Sequence, residues 1–307
     1  MTPNYYIPVL LILFLFPIGM TSQEIQIFKM DDFDLKGKVK TCLVSTDYGK
    51  EEYEFDASGF LAKSTTRYND ADYDITYYKY DQGNLLEKRL ENYRDNTFDS
   101  ATSIANIYTI DSTSNLKITE RILSYDKEFL DQYEYYYTND TLRKIIRSNN
   151  DGIDETQITY ANIKGEQTTT YKLNGVTLKS IRTSVKKEKD SVVAKNVLIK
   201  KFIDGKPTTA TEEIFDGRSN ITSSTKFYYS ASTKQFAAEE IVKYQYDESG
   251  MLTSSLTTVG NQTEERKYIY QLDVNKNWIK EIITPENAYK TRNITYFEMA
   301  SATVVPE

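Results

Sequence analysis

The acidic side chains of this chain are its best candidates for catalytic residues. The 307-residue sequence contains 45 Asp and Glu residues and no histidine, which removes the usual general base, the usual zinc ligand and every Ser-His-Asp or Cys-His arrangement. Adjacent acids such as Asp154 and Glu155, or Glu239 and Glu240, could in principle serve glycoside hydrolysis, which needs two carboxyl groups across a cleft. Because strand neighbours point to opposite faces, a working pair must come from separate strands. The sequence selects no such pair, so we assign no catalytic residue and lean towards a protein that is not an enzyme.

Two acidic segments are similar to calcium-binding loops. Residues 70–74 and 149–155 place oxygen-bearing side chains on alternate positions, but the second lacks the bidentate Glu that such a loop needs at its twelfth position. An ordinary Asp-Gly hairpin turn is the preferred interpretation. The glycines are isolated and form no phosphate-binding loop. We therefore predict no metal ion and no cofactor.

The single cysteine, Cys42, lies among Thr41, Leu43 and Val44, a set of residues typical of a strand. One cysteine cannot form an intramolecular disulfide, and without a histidine partner this thiol has no means of activation. We predict a buried structural thiol. The formal net charge is -7, with 38 basic residues scattered among the acids, which argues against nucleic acid as a partner.

A repeated plan of residues is the strongest signal in the sequence. Two aromatic residues end a strand, an Asp begins a turn by bonding the backbone ahead, a Gly or Asn tolerates positive φ, and a large apolar residue opens the return strand. Clear copies occupy residues 53–61, 78–85 and 244–252, with a looser copy at 268–278. Each copy predicts a β-hairpin corner, with positive φ expected at Gly83 and Gly250. The predicted turn residues are Asp56, Gly59, Asp81, Gly83, Asp247, Gly250, Asp273 and Asn277.

The aromatic residues of these copies form a ladder with period two. Residues two apart on a strand share a face, so the sequence predicts one aromatic face made of Tyr78, Tyr80, Tyr244, Tyr246, Tyr268, Tyr270 and Trp278. Such a row could stack on sugar rings or bind another protein. Cross-strand packing between repeats is the preferred interpretation. Binding would be favoured if the sheet left one aromatic face uncovered.

Alternation with period two recurs from Tyr53 to Tyr296, and turns arrive every ten to fifteen residues or so. This predicts an all-β fold, a continuous antiparallel meander of hairpin repeats, twisted and curled into an open or partly closed sheet. No linker divides the chain, so residues 23–307 are expected to form one domain.

The plan Tyr-x-Tyr/Phe-Asp-x-x-Gly-Asn/Phe/Met-Leu resembles the YD repeat of the RHS and teneurin-type proteins. The opening residues 34–40 and the closing residues 277–280 and 292–296 look like those of small exported YD-like proteins of Bacteroidota. The resemblance implies a coiling β-sheet and export, and no agreed activity. This chain is too short for the closed shell of the largest members and lacks their protease and toxin segments, so toxin delivery is not implied.

Residues 7–18 are an apolar run of the length found in secretory signal peptides. We predict removal of residues 1–22, because a retained anchor would need roughly 17 to 25 apolar residues. The mature chain should not span a membrane and should reside in the periplasm, on the cell surface or outside the cell.

The leading hypothesis from the sequence is an exported, non-catalytic β-repeat protein that presents a sheet surface to a cell-envelope component, either a glycan or a protein. A carboxylate-dependent glycan hydrolase is the first alternative. A purely structural component of the envelope is the second.

Overall fold

Twenty strands and one 3₁₀ turn make up the regular structure of residues 25–188 and 191–298, the part of the chain that this computed structural model describes. The 3₁₀ turn covers Met30–Phe33. The predicted leader, residues 1–22, lies outside the described residues. The strands are β1 (Val39–Thr46), β2 (Gly49–Phe55), β3 (Leu61–Arg67), β4 (Tyr73–Asp81), β5 (Asn84–Arg94), β6 (Thr97–Asp111), β7 (Lys117–Ser124), β8 (Phe129–Thr138), β9 (Thr141–Asn149), β10 (Gly152–Ile163), β11 (Glu166–Leu173), β12 (Val176–Glu188), β13 (Ser191–Ile203), β14 (Lys206–Asp216), β15 (Ile221–Ser230), β16 (Gln235–Tyr246), β17 (Leu252–Val259), β18 (Gln262–Leu272), β19 (Trp278–Thr284) and β20 (Ala288–Tyr296).

The sheet is an antiparallel meander that closes into a barrel. Each strand pairs with the next along the chain, and β20 pairs back with β1, where Cys42 lies opposite Ile294. At the same seam, the hydroxyl oxygens of Thr41 and Thr295 are 2.6 Å apart. The predicted all-β meander is confirmed, but the prediction of an open or partly closed sheet is wrong. Accumulated twist brings the first and last strands together, and their pairing satisfies backbone groups that an open sheet would leave at its edges.

Successive hairpin turns alternate between the two ends of the barrel, so turns separated by an even number of strands share an end. The turns at residues 55–61, 81–84, 246–252 and 272–278, which belong to the four predicted repeat copies, therefore lie at one end. We call it the repeat end. The tyrosine pairs that lead into these turns are consequently collected in the same half of the barrel.

The N-terminal segment, residues 25–38, lies on the concave face of the sheet. Side chains from seven neighbouring strands, β18 through β20 and β1 through β4, pack in one cluster with Phe28, Met30, Phe33 and Leu35. So many strands of a closed sheet can reach one short segment only from inside. A second cluster, on β8 to β11, is centred on Tyr135 and Ile145 and is contacted by Ile25.

The two faces of the sheet differ in composition. On β18, Lys267, Ile269 and Gln271 are exposed on the convex face and alternate with half-buried Tyr268 and Tyr270 on the concave face. On this strand, therefore, the tyrosines lie on the concave face and the exposed side chains on the convex face. Among the described residues, no helix has the length and apolarity needed to cross a membrane.

Candidate functional site: the concave face of the barrel

Three of the predicted repeat turns share one hydrogen-bond geometry. Asp56 Oδ1 accepts the backbone N–H of Ser58 at 2.8 Å and that of Phe60 at 3.0 Å. Asp247 binds the N–H groups two and four residues ahead in the same way, both at 2.9 Å, and so does Asp273. The third residue after each Asp has positive φ, which is 86° at Gly59, 87° at Gly250 and 64° at Lys276. The Asp side chain thus organises each of these three corners at the repeat end.

The turn after Asp81 is built differently from the expected plan. Asp81 stays in the ladder opposite Asn84, and the chain reverses in two residues, Gln82 and Gly83, with φ of 47° and 81°. A two-residue turn with both φ positive matches the twist of the flanking strands without help from the Asp side chain. Conversely, Asp216 forms the full turn, because Oδ1 accepts the N–H groups of Arg218 and Asn220. This turn is not among the four copies identified in the sequence.

All members of the predicted aromatic ladder lie on the concave face in the repeat-end half. Trp278 begins β19, and its ring centroid lies 6.5 Å from that of Tyr270. Tyr78 packs edge-on against Phe28 of the N-terminal segment at 6.1 Å, and Tyr80 packs on Phe60 at 5.0 Å. This part of the ladder is covered, and its packing explains why repeats keep their aromatic residues.

The ladder on β16 and β18 is less covered. The cluster formed with the described N-terminal segment does not include Tyr244, Tyr246 or Tyr268, which are half-buried. Tyr244 lies opposite Ser255, whose hydroxyl is 3.1 Å from the Tyr268 hydroxyl. Burial and nearby negative charge raise the pKa of both Tyr244 and Tyr246 to about 12. We call Tyr244, Tyr246 and Tyr268 the aromatic wall.

Charged side chains flank this wall on the same strands and on β14 and β15. Glu240 forms an ion pair with Lys226 at 2.7 Å, and Arg266 contacts Glu286 at 2.7 Å. Burial raises the pKa of Glu213, against the opposing effect of Lys195. The wall thus combines ring surfaces with carboxylate and guanidinium groups.

Glu213 and Glu240 are two carboxylates of the concave face that lie on nearby strands beside the aromatic wall. Glu213 lies opposite Ser224 on β15, and Glu240 lies opposite Lys226, two residues along the same strand. Two strand spacings and a two-residue offset put their Cα atoms about 12 Å apart. The pairs suggested by sequence are split instead. Glu239 is the unpaired residue of a bulge beside Glu240.

Asp154 and Glu155 are also separated. Asp154 lies opposite Arg147 and accepts a hydrogen bond from Asn174 Nδ2 at 2.8 Å, whereas Glu155 lies opposite Ile146 on the other face. The first calcium-like segment is an ordinary turn, because Asn69 Oδ1 accepts the N–H groups of residues 71 and 72. The second is a turn of the same kind around Asn149 Oδ1. In the described ranges, no three acidic or thiol side chains are grouped to hold a metal ion.

A buried carboxylate network escaped the sequence reasoning. Glu120 is 9% exposed, and its two oxygens accept hydrogen bonds from Tyr108 Oη at 2.8 Å, Tyr135 Oη at 2.7 Å and Asn106 Nδ2 at 2.6 Å. Period-two alternation indicates that these side chains share the concave face, but only the register between β6, β7 and β8 brings them together.

No protein-family model and no curated protein matches the chain. Among solved structures, it is similar to a porin-like protein from Bacteroides vulgatus ATCC 8482, with 12% identity, a TM-score of 0.27 and coverage of 85% of this chain and 99% of that one. A porin-like protein from Bacteroides uniformis ATCC 8492 gives 11% identity, a TM-score of 0.33 and coverages of 85% and 98%. A chain of the TcdB2-TccC3-TEV structure gives 7% identity and a TM-score of 0.17, with 77% of this chain spanning 22% of that one. Similarities this low carry no argument about function. None of them shows a YD-repeat or RHS family, so that resemblance is not confirmed.

Proposed function

We propose that this chain is an exported, non-catalytic binding protein of the cell envelope, and that its ligand is a glycan held against the concave face. The observation that carries the proposal is the aromatic wall of Tyr244, Tyr246 and Tyr268, which lies outside the cluster formed with the described N-terminal segment. This is the uncovered aromatic face that would favour binding over packing alone.

The chemistry of the wall suits sugars. Tyr244 and Tyr246 are about 6.8 Å apart along β16, the rise of two strand residues, and the Tyr246 hydroxyl is held by a hydrogen bond that it donates to Ile221 O at 2.9 Å. The flanking Glu213, Glu240 and Arg266 supply the few polar groups that orient a ligand in such a site.

The convex face fits a barrel surrounded by water rather than lipid. On β16 and β18 this face exposes Lys243, Gln245, Lys267 and Gln271 beside the single apolar Ile269, whereas strands that face lipid carry a continuous apolar band. Together with the apolar run at residues 7–18, this supports an exported protein that does not span a membrane after leader removal.

A glycan array followed by calorimetric titration of the best ligand tests the proposal. Tyr244→Ala and Tyr268→Ala should each weaken binding by about tenfold or more, since losing a stacking ring costs around 1.4 kcal/mol or more. Lys243→Ala and Ile269→Ala are matched controls, because each changes the residue beside the tyrosine on the same strand, whose side chain points to the convex face. Equal effects of the two sets of variants, or a mature chain that binds no glycan, would contradict the proposal, and the second outcome would favour a purely structural component.

A glycan hydrolase is the second candidate, and one observation favours it. Burial raises the pKa of Glu213, as a general acid requires, while Glu240 on the same face is paired with Lys226. A hydrolysis screen with the array ligands decides between the two. Turnover that disappears in Glu213→Gln and in Glu240→Gln would establish the enzyme, and binding without turnover would support the binding protein.

A further inference from the structure

We propose that the concave face at the repeat end is a peptide-binding site that the chain fills with its own residues 28–36. The same site would accept, from another chain, an extended peptide that carries two aromatic side chains five residues apart, as Phe28 and Phe33 are. The site is distinct from the aromatic wall on β16 and β18.

The first contact is a β-bridge to the turn between β2 and β3. Phe28 O accepts the N–H of Leu61 at 3.0 Å, and Met30 N donates to Gly59 O at 3.0 Å. Gly59, at φ of 86°, lies beneath the Met30 side chain, whose Cε would be 2.9 Å from a Cβ atom at position 59. Pairing of this type is how sheets capture extended peptides from other chains.

Two further contacts also recognise backbone. Arg292 Nη2 donates to Phe33 O at 3.1 Å. The Asn277 amide binds both backbone groups of Lys36, accepting its N–H at 2.7 Å and donating to its carbonyl at 2.8 Å. Arg292 and Asn277 are 6% and 1% exposed, so the barrel holds them in place. Because all of these contacts are to main-chain atoms, they do not depend on the side chains of the bound segment.

Aromatic contacts provide the selectivity. The Phe33 ring centroid lies 4.5 Å from that of Tyr53 and 5.4 Å from that of Phe55, and Phe33 is buried. Phe28 packs edge-on against Tyr78. A peptide with small residues at these two positions would keep the backbone hydrogen bonds and lose most of the buried apolar area.

The barrel does not need the segment to complete its sheet. β1 pairs with β2 and with β20, so its ladder is closed on both sides without residues 28–36. The segment joins β1 through Gly37, whose φ is 83°. It therefore occupies its site as a ligand tethered to the wall, not as a strand of it.

Two single residues report on this site. Cys42, the only cysteine, and Trp278, the only tryptophan, are 1% and 8% exposed in the cluster that includes Phe33. The test uses the full mature chain with Phe28→Ala and Phe33→Ala together. We expect a thiol reagent to label Cys42 about tenfold or more faster than in the unchanged protein, because the weakened segment opens more often. A synthetic peptide of residues 25–38 should return both the labelling rate of Cys42 and the fluorescence emission of Trp278 to their values in the unchanged protein. A control peptide with both Phe residues replaced by Ala should do neither.

The proposal is overturned if the variant retains its strand content by circular dichroism and yet the peptide gives no protection. It is equally overturned if Cys42 labelling does not change when the segment is weakened. Should the double variant lose its fold, Phe28→Ala alone, at a partly buried position, is used with the same two peptides and the same two outcomes. Glycan binding by the β16 and β18 wall is measured in parallel, and its presence or absence does not bear on the peptide result.

Discussion

The buried carboxylate of Glu120 offers a direct test of which face of the sheet is the inner one. Tyr135→Phe removes the Oη donor that lies 2.7 Å from Glu120 Oε2 and changes nothing else in the shape of the side chain. Glu120 then keeps only the donors from Tyr108 and Asn106. We expect the variant to fold and to be less stable.

The size of the loss follows from burial. A hydrogen bond to a charged group contributes roughly 1.5 to 3 kcal/mol, at the upper end when the acceptor cannot turn to water. Glu120 is 9% exposed, so we expect a loss of about 2 to 3 kcal/mol in the free energy of unfolding.

The next residue provides the matched control. Tyr136 Oη donates to Glu134 Oε2, also at 2.7 Å, but on the convex face, where the Glu134 side chain is 19% exposed and retains its ion pair with Lys117. Tyr136→Phe should cost no more than about 1 kcal/mol. Urea denaturation of the two variants gives the comparison, with the midpoint read at an unchanged m value.

A loss for Tyr135→Phe that does not exceed the loss for Tyr136→Phe would refute the assignment of the concave face. A double-mutant cycle sharpens the result, because Tyr135→Phe should cost less when Glu120 is already replaced by Gln.

Three other predictions follow from the turns and from the titrating groups. Gly250→Val should lower the free energy of unfolding by more than about 1 kcal/mol, because φ is 87° at this position and no neighbouring atom would clash with the new side chain. Gly250→Asn should lose less stability in thermal melting, because Asn tolerates positive φ. The free energy of unfolding should hold up to about pH 10 and fall from there to about pH 12, because the unfolded chain ionises its tyrosines first while the pKa of folded Tyr244 is raised from 10.0 to about 12; urea midpoints measured across this range test it. Glu213→Gln should raise the urea midpoint at pH 7 and leave it unchanged near pH 3, since burial raises the pKa of this carboxyl and so disfavours its charged form in the folded state.

Short-range features of the fold could be predicted from the sequence, because a few adjacent residues determine the conformation of a hairpin turn. The Asp side chains at positions 56, 247 and 273 bond the backbone two and four residues ahead, as the repeat plan suggests. Closure was not within reach. The pairing of Cys42 with Ile294 joins residues about 250 positions apart, and alternation on each strand is the same in an open sheet and in a closed one.

The candidate site divides in the same way. The period-two alternation predicts that the tyrosines of β4, β16 and β18 share one face, because side chains two residues apart on a strand point in the same direction. Which of them the N-terminal segment covers depends on contacts such as that of Phe28 with Tyr78, which no local pattern encodes. The Glu120 network and the Glu213 and Glu240 arrangement also rest on register between strands, so the acids nearest in sequence were misleading candidates.

Closure of the barrel sets an order for its assembly during synthesis. Nineteen of the twenty pairings among the described strands join neighbours in sequence, and each can form as soon as its hairpin has emerged. The pairing of β1 with β20 needs the whole chain. Until β20 is made, β1 and the newest strand both present unpaired backbone groups, which are templates for pairing with another nascent chain. The last strand therefore ends the interval in which the growing sheet is open to association with other copies.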